Sequence, residues 1–245
     1  MPAATTSISR TADRRAARRR RLGAVLLALG LAIPGAGGAG AMTFALEAAE
    51  QGRKVVVARG VIEAGDAQRL RQALAAADRD AAGHRQLVLE SLGGNVAEAF
   101  AIAEVMAAER VTTRVRAGKS CASACAVIVF AAGIYRVVDE GGRLGIHTCY
   151  DRSGARSTSC NEIIANAAQK HGVPFIATFT LMQLTAPGSV RWLDAENAAC
   201  WRLSRDPAPP PGRKPAPADP SGCPPPLAEP AKGPGLTPAG GKAPR

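Results

Sequence analysis

Three runs rich in β-branched and aliphatic residues, KVVVARGVI (54–62), QLVLES (86–91) and VTTRVRAG (111–118), are separated by alanine-rich stretches with apolar residues at helical spacing. This alternation limits the fold more than any other feature of the chain. A strand, a helix and a second strand close as a parallel pair with a right-handed crossover, because the helix lays its apolar stripe on the sheet that both strands share. The first stretch, EAGDAQRLRQALAAADRDAAG, sets Leu70, Ala73, Leu74 and Ala77 on one face, with Gly83 placed to stop it. The second, NVAEAFAIAEVMAAER, carries Val96, Phe100, Ile102, Ala103 and Met106 as its stripe. Beyond these, SACAVIVFAAG reads as a helix and YRVVDEGGRLGIH as two brief strands around the turn DEGG. NEIIANAAQKHG and PFIATFTLMQL read as a helix pair, and RWLDAENAACWRL (191–203) as a turn entering a helix capped by Asp194. The expected class is α/β with a parallel sheet. An aromatic share of only 4% calls for a core of aliphatic side chains and alanine.

The two ends differ from this middle. Arg10, Arg14, Arg15 and the run Arg18 to Arg21 precede the apolar segment LGAVLLALGLAI (22–33), and Pro34, GAGGAGA and an A-x-A site at Ala39–Ala41 follow. Basic, apolar and small-residue regions in that order are the layout of a secretory signal. An uncleaved anchor is the alternative, in which case residues 22–41 are the only membrane contact; a twin-arginine reading is weaker, for want of a clear polar-RR-apolar pattern. At the other end, residues 206–245 hold most of the prolines and too little apolar surface to offset the entropy of ordering, so a disordered tail is expected. Three regions follow: residues 1–41 as signal or anchor, 42–205 as one domain, and 206–245 as tail.

Charge follows the same division. The net +11 of the whole chain falls to 24 Lys and Arg against 19 Asp and Glu from residue 42 onward, an ordinary balance that gives no reason to expect a nucleic-acid partner. Export places the six cysteines in an oxidising compartment, the periplasm or the outer face of the membrane, where an even count indicates disulfides. No C-x-x-C pair is present and the three histidines do not group with thiols, so neither a metal nor another cofactor is expected. Cys149 and Cys160 flank the polar, turn-rich YDRSGARSTS and are the best single pair; Cys223, in the tail, is expected to be free.

Four short stretches bear on chemistry. In ESLGGNVAEA (90–99), Gly93 and Gly94 lie between a strand and a helix start, where backbone N–H groups can meet an anion. In CASACAV, Ser123 stands near the start of a helix between Cys121 and Cys125. RLGIHTC brings His147 to a strand end, and RWLDAENAACWRL supplies Asp194. Singly, each has a structural explanation as turn, cap or packing residue. As an ordered set they fit acyl transfer, because a serine hydroxyl needs a base to take its proton and the resulting oxyanion needs preorganised donors.

The order GG, serine, histidine resembles the Clp protease proteolytic subunit and its crotonase-like relatives over roughly residues 54–203. The family's SPGGSV is similar to SLGGNV here, its AASMGA to CASACA and its MIHQP to GIHTC. The resemblance is closest to exported members with a cysteine-framed serine. It implies a ClpP/crotonase-like fold of repeated ββα and βαβ units, Ser123 as nucleophile, His147 as general base, and the N–H groups of Gly93 and Ala124 as oxyanion hole. It further implies a peptide or protein substrate and a homo-oligomer. Leu92 replaces the family's proline, and Val190 falls where the family carries the aspartate of the triad, which leaves Asp194 and Asp151 as candidates for the third member. Lys119 offers a Ser-Lys alternative of lower rank, and one of the cysteines framing Ser123 is expected to pair with Cys200. The readings that follow are an exported serine hydrolase, a non-catalytic peptide-binding or scaffold protein of the same fold, and, third, an acyl-CoA enzyme.

Overall fold

The computed structural model describes residues 41–230, except for residues 50, 51, 152, 209, 210, 213–216, 218 and 227. The expected signal or anchor therefore lies outside the described residues, apart from Ala41. Among the described residues no helix is long and apolar enough to cross a membrane.

Strand β1 (Thr43–Ala48) pairs antiparallel with β2 (Lys54–Arg59). From there the chain follows the expected alternation. Helix α1 (Asp66–Ala75), β3 (Arg85–Glu90), α2 (Val96–Glu109) and β4 (Val111–Val115) form two parallel units, and β6 (Arg136–Val138) adds a further parallel strand beside β4. Leu70 and Leu74 of α1 and Ile102, Ala103 and Met106 of α2 are buried, as their spacing requires. Val96, in the first turn of α2, is an exception at 41% exposed.

A second sheet runs in the order β5 (Ser120–Ala122), β7 (Arg143–Ile146), β8 (Ser189–Leu193), β9 (Ala228–Pro230). Only β5 and β7 are parallel; β8 and β9 are antiparallel to their neighbours, so the fold is mixed α/β rather than all-parallel. The segment read as a turn before Asp194 is β8. It alternates poorly in polarity, and its pairing with β7 makes it a strand. Helices α3 (Thr158–Lys170) and α4 (Phe175–Leu184) pack on each other, and α5 (Ala195–Cys200) follows β8. Between β5 and β6 runs a π-helix, Cys125–Phe130, all of whose residues are buried, with α2 and α3 against it. A helix apolar on every side belongs inside the core.

Arg136 is buried within β6 and donates to the carbonyl oxygens of Leu203 (2.7 Å), Gly133 (2.9 Å) and His171 (3.0 Å). Burial, with the nearby Arg205 charge, pushes its guanidinium down to about 10. It ties the first sheet to the segments that end α3 and follow α5.

All six cysteines are paired: Cys121–Cys125, Cys149–Cys160 and Cys200–Cys223. The first and third differ from expectation. The two thiols framing Ser123 are joined to each other rather than to Cys200, and Cys223 is not free. It is 4% exposed, in a short turn after Pro220–Gly222, where Trp201 Nε1–H also donates to the carbonyl oxygen of Pro224 at 3.3 Å. Proline-rich composition describes the tail on average. This piece is held by a covalent bond and by β9, which joins the sheet beyond it. Three disulfides fit an oxidising, extracytoplasmic environment.

Peptide mapping without reduction is expected to recover these three pairs, and recovery of Cys121 or Cys125 joined to Cys200 would contradict the fold. Cys223→Ser, by freeing a loop of 23 residues, is expected to lower the unfolding free energy in denaturant titrations by up to about 3 kcal/mol.

Candidate active site

Strand β5 ends at Ala122, and the chain turns into the π-helix through Ser123, which has φ +56°. A serine in the left-handed region is strained, by about 1–3 kcal/mol, and persists only where its surroundings hold it. Its N–H donates to the Gly145 carbonyl at 2.9 Å, and its carbonyl accepts from Ala126 (2.9 Å) and Val127 (3.1 Å). The Cys121–Cys125 disulfide bridges the turn, Cα to Cα 5.4 Å. A sharp strand-to-helix turn of this kind lifts a hydroxyl clear of its own backbone.

The Gly93–Gly94 loop lies directly against that hydroxyl. A Cβ on Gly93, whose φ is +100°, would stand 2.6 Å from Ser123 Cβ and 3.0 Å from its Oγ, so only glycine fits. The Gly93 N–H donates to Ser91 Oγ at 3.1 Å. The residue expected as an oxyanion donor is thus brought to the site with its N–H already engaged. Ala124, the other expected donor, is the N-cap of the π-helix, where an N–H has no acceptor within the helix.

His147 follows β7 on the strand next to β5, and its Nε2 lies 2.7 Å from Ser123 Oγ. Its other nitrogen, Nδ1, is 2.7 Å from the carbonyl oxygen of Thr148. A carbonyl can only accept, so Nδ1 carries the hydrogen and Nε2 of the neutral ring presents a lone pair to the serine hydroxyl. Burial favours the neutral form and holds the ring below its ordinary value of 6.5, outweighing the Thr148 carbonyl, whose hydrogen bond favours the protonated form. Tyr150 stacks on the imidazole, ring centroids 5.8 Å apart.

The acids proposed from the sequence are elsewhere. Asp194 caps α5, accepting from Asn197 N–H at 2.8 Å. Asp151 accepts from Ser153 and Ala155 in an exposed turn, whose hydrogen bonds hold its carboxyl below the usual range. Lys119 is held by Glu90 at 2.7 Å. Val190 is 1% exposed, and extending the β7–β8 register by one step past Ile146↔Arg191 sets it opposite His147. An apolar residue therefore occupies the cross-strand position, packed with Ala122, Leu92 and Trp192.

Beside that apolar cluster is a cavity of about 400 Å³ lined by Leu92, Ser120, Arg143, Val190, Trp192 and the β9 residues Glu229 and Pro230. Gly145 makes room for its floor, since a Cβ there would lie 2.7 Å from the Trp192 ring. Among the described residues no group of three or more His, Cys, Asp or Glu is arranged to hold a metal ion.

Sequence reasoning missed the Thr148 carbonyl, because a backbone acceptor leaves no mark in residue type. The Tyr150 stack was equally invisible, though an aromatic three residues past the histidine could have suggested it.

No protein-family model matches the chain, and no curated protein matches it in sequence.

Gly93→Ala is expected to cost about 1–3 kcal/mol in denaturant unfolding, through left-handed strain and contact with Ser123. An unchanged midpoint would mean the loop does not press on the serine as described.

Proposed function

We propose that this protein is an exported serine hydrolase, a peptidase with a Clp-protease/crotonase-like fold acting in the periplasm. The observation that carries the proposal is the 2.7 Å contact between His147 Nε2 and Ser123 Oγ, with the imidazole held in the tautomer a general base requires.

In this reading Ser123 Oγ attacks the scissile carbonyl carbon while Nε2 takes the hydroxyl proton. The oxyanion forms beside the Ala124 N–H, and beside that of Gly93 once Ser91 Oγ gives way. Collapse of the tetrahedral intermediate breaks the C–N bond, and the proton on Nε2 passes to the leaving amine. Water, deprotonated by the same nitrogen, then hydrolyses the ester on Ser123. Absence of an acid at position 190 does not defeat this scheme. In the Ser-His-Asp triad, replacing the aspartate by asparagine lowers kcat by about 10⁴, chiefly because the histidine takes the wrong tautomer. Here the Thr148 carbonyl supplies the right one.

A second reading, a peptide-binding scaffold of the cell envelope, is favoured by the engaged Gly93 N–H and by Val190. The two readings separate on chemistry. A fluorophosphonate probe is expected to label the wild type at Ser123, and Ser123→Ala and His147→Ala to remove the labelling. Equal labelling of wild type and Ser123→Ala would leave the scaffold reading.

The labelling rate should also follow the protonation of His147. Only the neutral ring can accept the serine proton, and burial keeps it neutral to lower pH than a free imidazole. The rate is therefore expected to rise with pH through a midpoint below 6.5 and to be level above it. A midpoint above 7 would place the base elsewhere.

A further inference from the structure

We infer that Asn161 is a positioning residue for the Ser123–His147 pair, acting through the peptide group between Thr148 and Cys149. The inference rests on the hydrolase reading for its catalytic meaning, though its geometry stands apart from it.

The carbonyl that receives His147 Nδ1–H belongs to Thr148, and the N–H on the other side of the same planar peptide belongs to Cys149. Asn161 Oδ1 accepts from that Cys149 N–H at 2.8 Å. The side-chain amide, the peptide and the imidazole thus form one line: Oδ1 receives N–H, the peptide carbonyl receives Nδ1–H, and Nε2 receives the serine hydroxyl. Hydrogen bonds joined in this way polarise one another, so a donor engaged at Cys149 makes the Thr148 carbonyl a better acceptor. The peptide, with Asn161 behind it, does what a carboxylate does in a triad: it fixes the tautomer and turns the ring.

Asn161 is built for this use. It is fully buried in the first turns of α3, and its Nδ2 donates to Thr148 Oγ1 at 3.0 Å. Thr148, itself fully buried, passes a further bond from Oγ1 to the Cys149 carbonyl at 3.2 Å. Its amide orientation is settled by chemistry, since a backbone N–H needs an oxygen opposite it. The neighbouring residues are joined as well, for Cys149 is disulfide-bonded to Cys160. The same carbonyl of Cys149 also accepts from Ser157 N–H at 2.9 Å. The peptide plane that orients the base is therefore gripped on each side by the start of α3. A fully buried asparagine that only filled space would be replaceable by an apolar residue; this one has both ends of its amide spent on the segment that carries the base.

The test is the tautomer of His147, read from the ¹⁵N shifts of its imidazole nitrogens at pH 7.5, with His147→Ala to assign the signals. The wild type is expected to show Nδ1 protonated and Nε2 bare. Asn161→Ala is expected to move a substantial fraction to the Nε2–H form and to slow fluorophosphonate labelling roughly 10–100-fold, by analogy with the loss found when the hydrogen-bond partner behind a metal-ligating histidine is removed. Asn161→Asp keeps an acceptor for Cys149 N–H and is expected to restore the wild-type tautomer. If Asn161→Ala folds, with native circular dichroism, and its tautomer and labelling rate match the wild type, the inference is overturned. If it does not fold, the wild type decides: the Cys149 amide and the Asn161 Nδ2 resonances are expected to shift with the titration of His147, and resonances that stay fixed overturn it. Because the tautomer is read without turnover, a wild type that takes no label would overturn the hydrolase reading and leave the inference about Asn161 to the NMR alone.

Discussion

Two hydrogen bonds at Ser91 hold this structure together at its most sensitive point. The Ser91 N–H donates to the Ser120 carbonyl at 3.0 Å, and the Ser91 carbonyl accepts from Ala122 N–H at 2.9 Å. They splice the end of β3 onto β5 and so join the first sheet to the second. Each contributes only about 1 kcal/mol net. Their effect is positional: they set the Gly93–Gly94 loop against the turn at Ser123. On its far side the loop is clamped by Ile62, which donates to the Gly93 carbonyl at 2.8 Å and accepts from Asn95 N–H at 2.9 Å. With backbone on both sides, neither glycine can carry a side chain; a Cβ on Gly94 would stand 2.4 Å from the Ile62 carbonyl oxygen.

That packing explains the electrostatics of the site. A buried carboxylate beside His147 would need hydrogen bonds on every lone pair to offset its desolvation. The cross-strand position instead holds Val190, and the imidazole is oriented by a neutral carbonyl. The charges of the region are kept at the surface, where Glu47, Arg59, Glu90 and Lys119 alternate across the first sheet and into β5's approach. Burial opposes ionisation of Glu90, but Lys119 and Arg59 outweigh it and hold its carboxyl below the usual range. Exposed pairs of this kind contribute little stability. Here the consequence is that the Lys119 ammonium is engaged by Glu90, while the side chain hydrogen-bonded to the Ser123 hydroxyl is His147.

Much of this was legible in the chain. Helices α1 and α2 and strands β2, β3 and β4 follow from 3.6-residue and β-branched patterning, and their parallel pairing follows from connection rules. The pairing of Cys149 with Cys160 follows from the polar loop between them. The juxtaposition of Gly93, Ser123 and His147 was suggested by their order together with the resemblance of their three motifs to those of a known family. What could not be read was non-local. β8 is a strand because β7 pairs with it, and β9 is one because it pairs with β8, in a proline-rich segment that also carries the disulfide from Cys223 to Cys200. The acids Asp194 and Asp151 were credible by type and spacing, but each is committed to capping its own local turn.

Residue types and their order determined that this chain would be α/β, rich in disulfides, and able to bring a serine and a histidine together. Only the tertiary structure decided how the histidine is oriented. The acceptor of its Nδ1–H is a backbone carbonyl, and every residue has one. What distinguishes that of Thr148 is that α3, the Cys149–Cys160 disulfide and the amide of Asn161 hold its peptide plane toward the ring, and contacts across a fold have no counterpart in local sequence pattern.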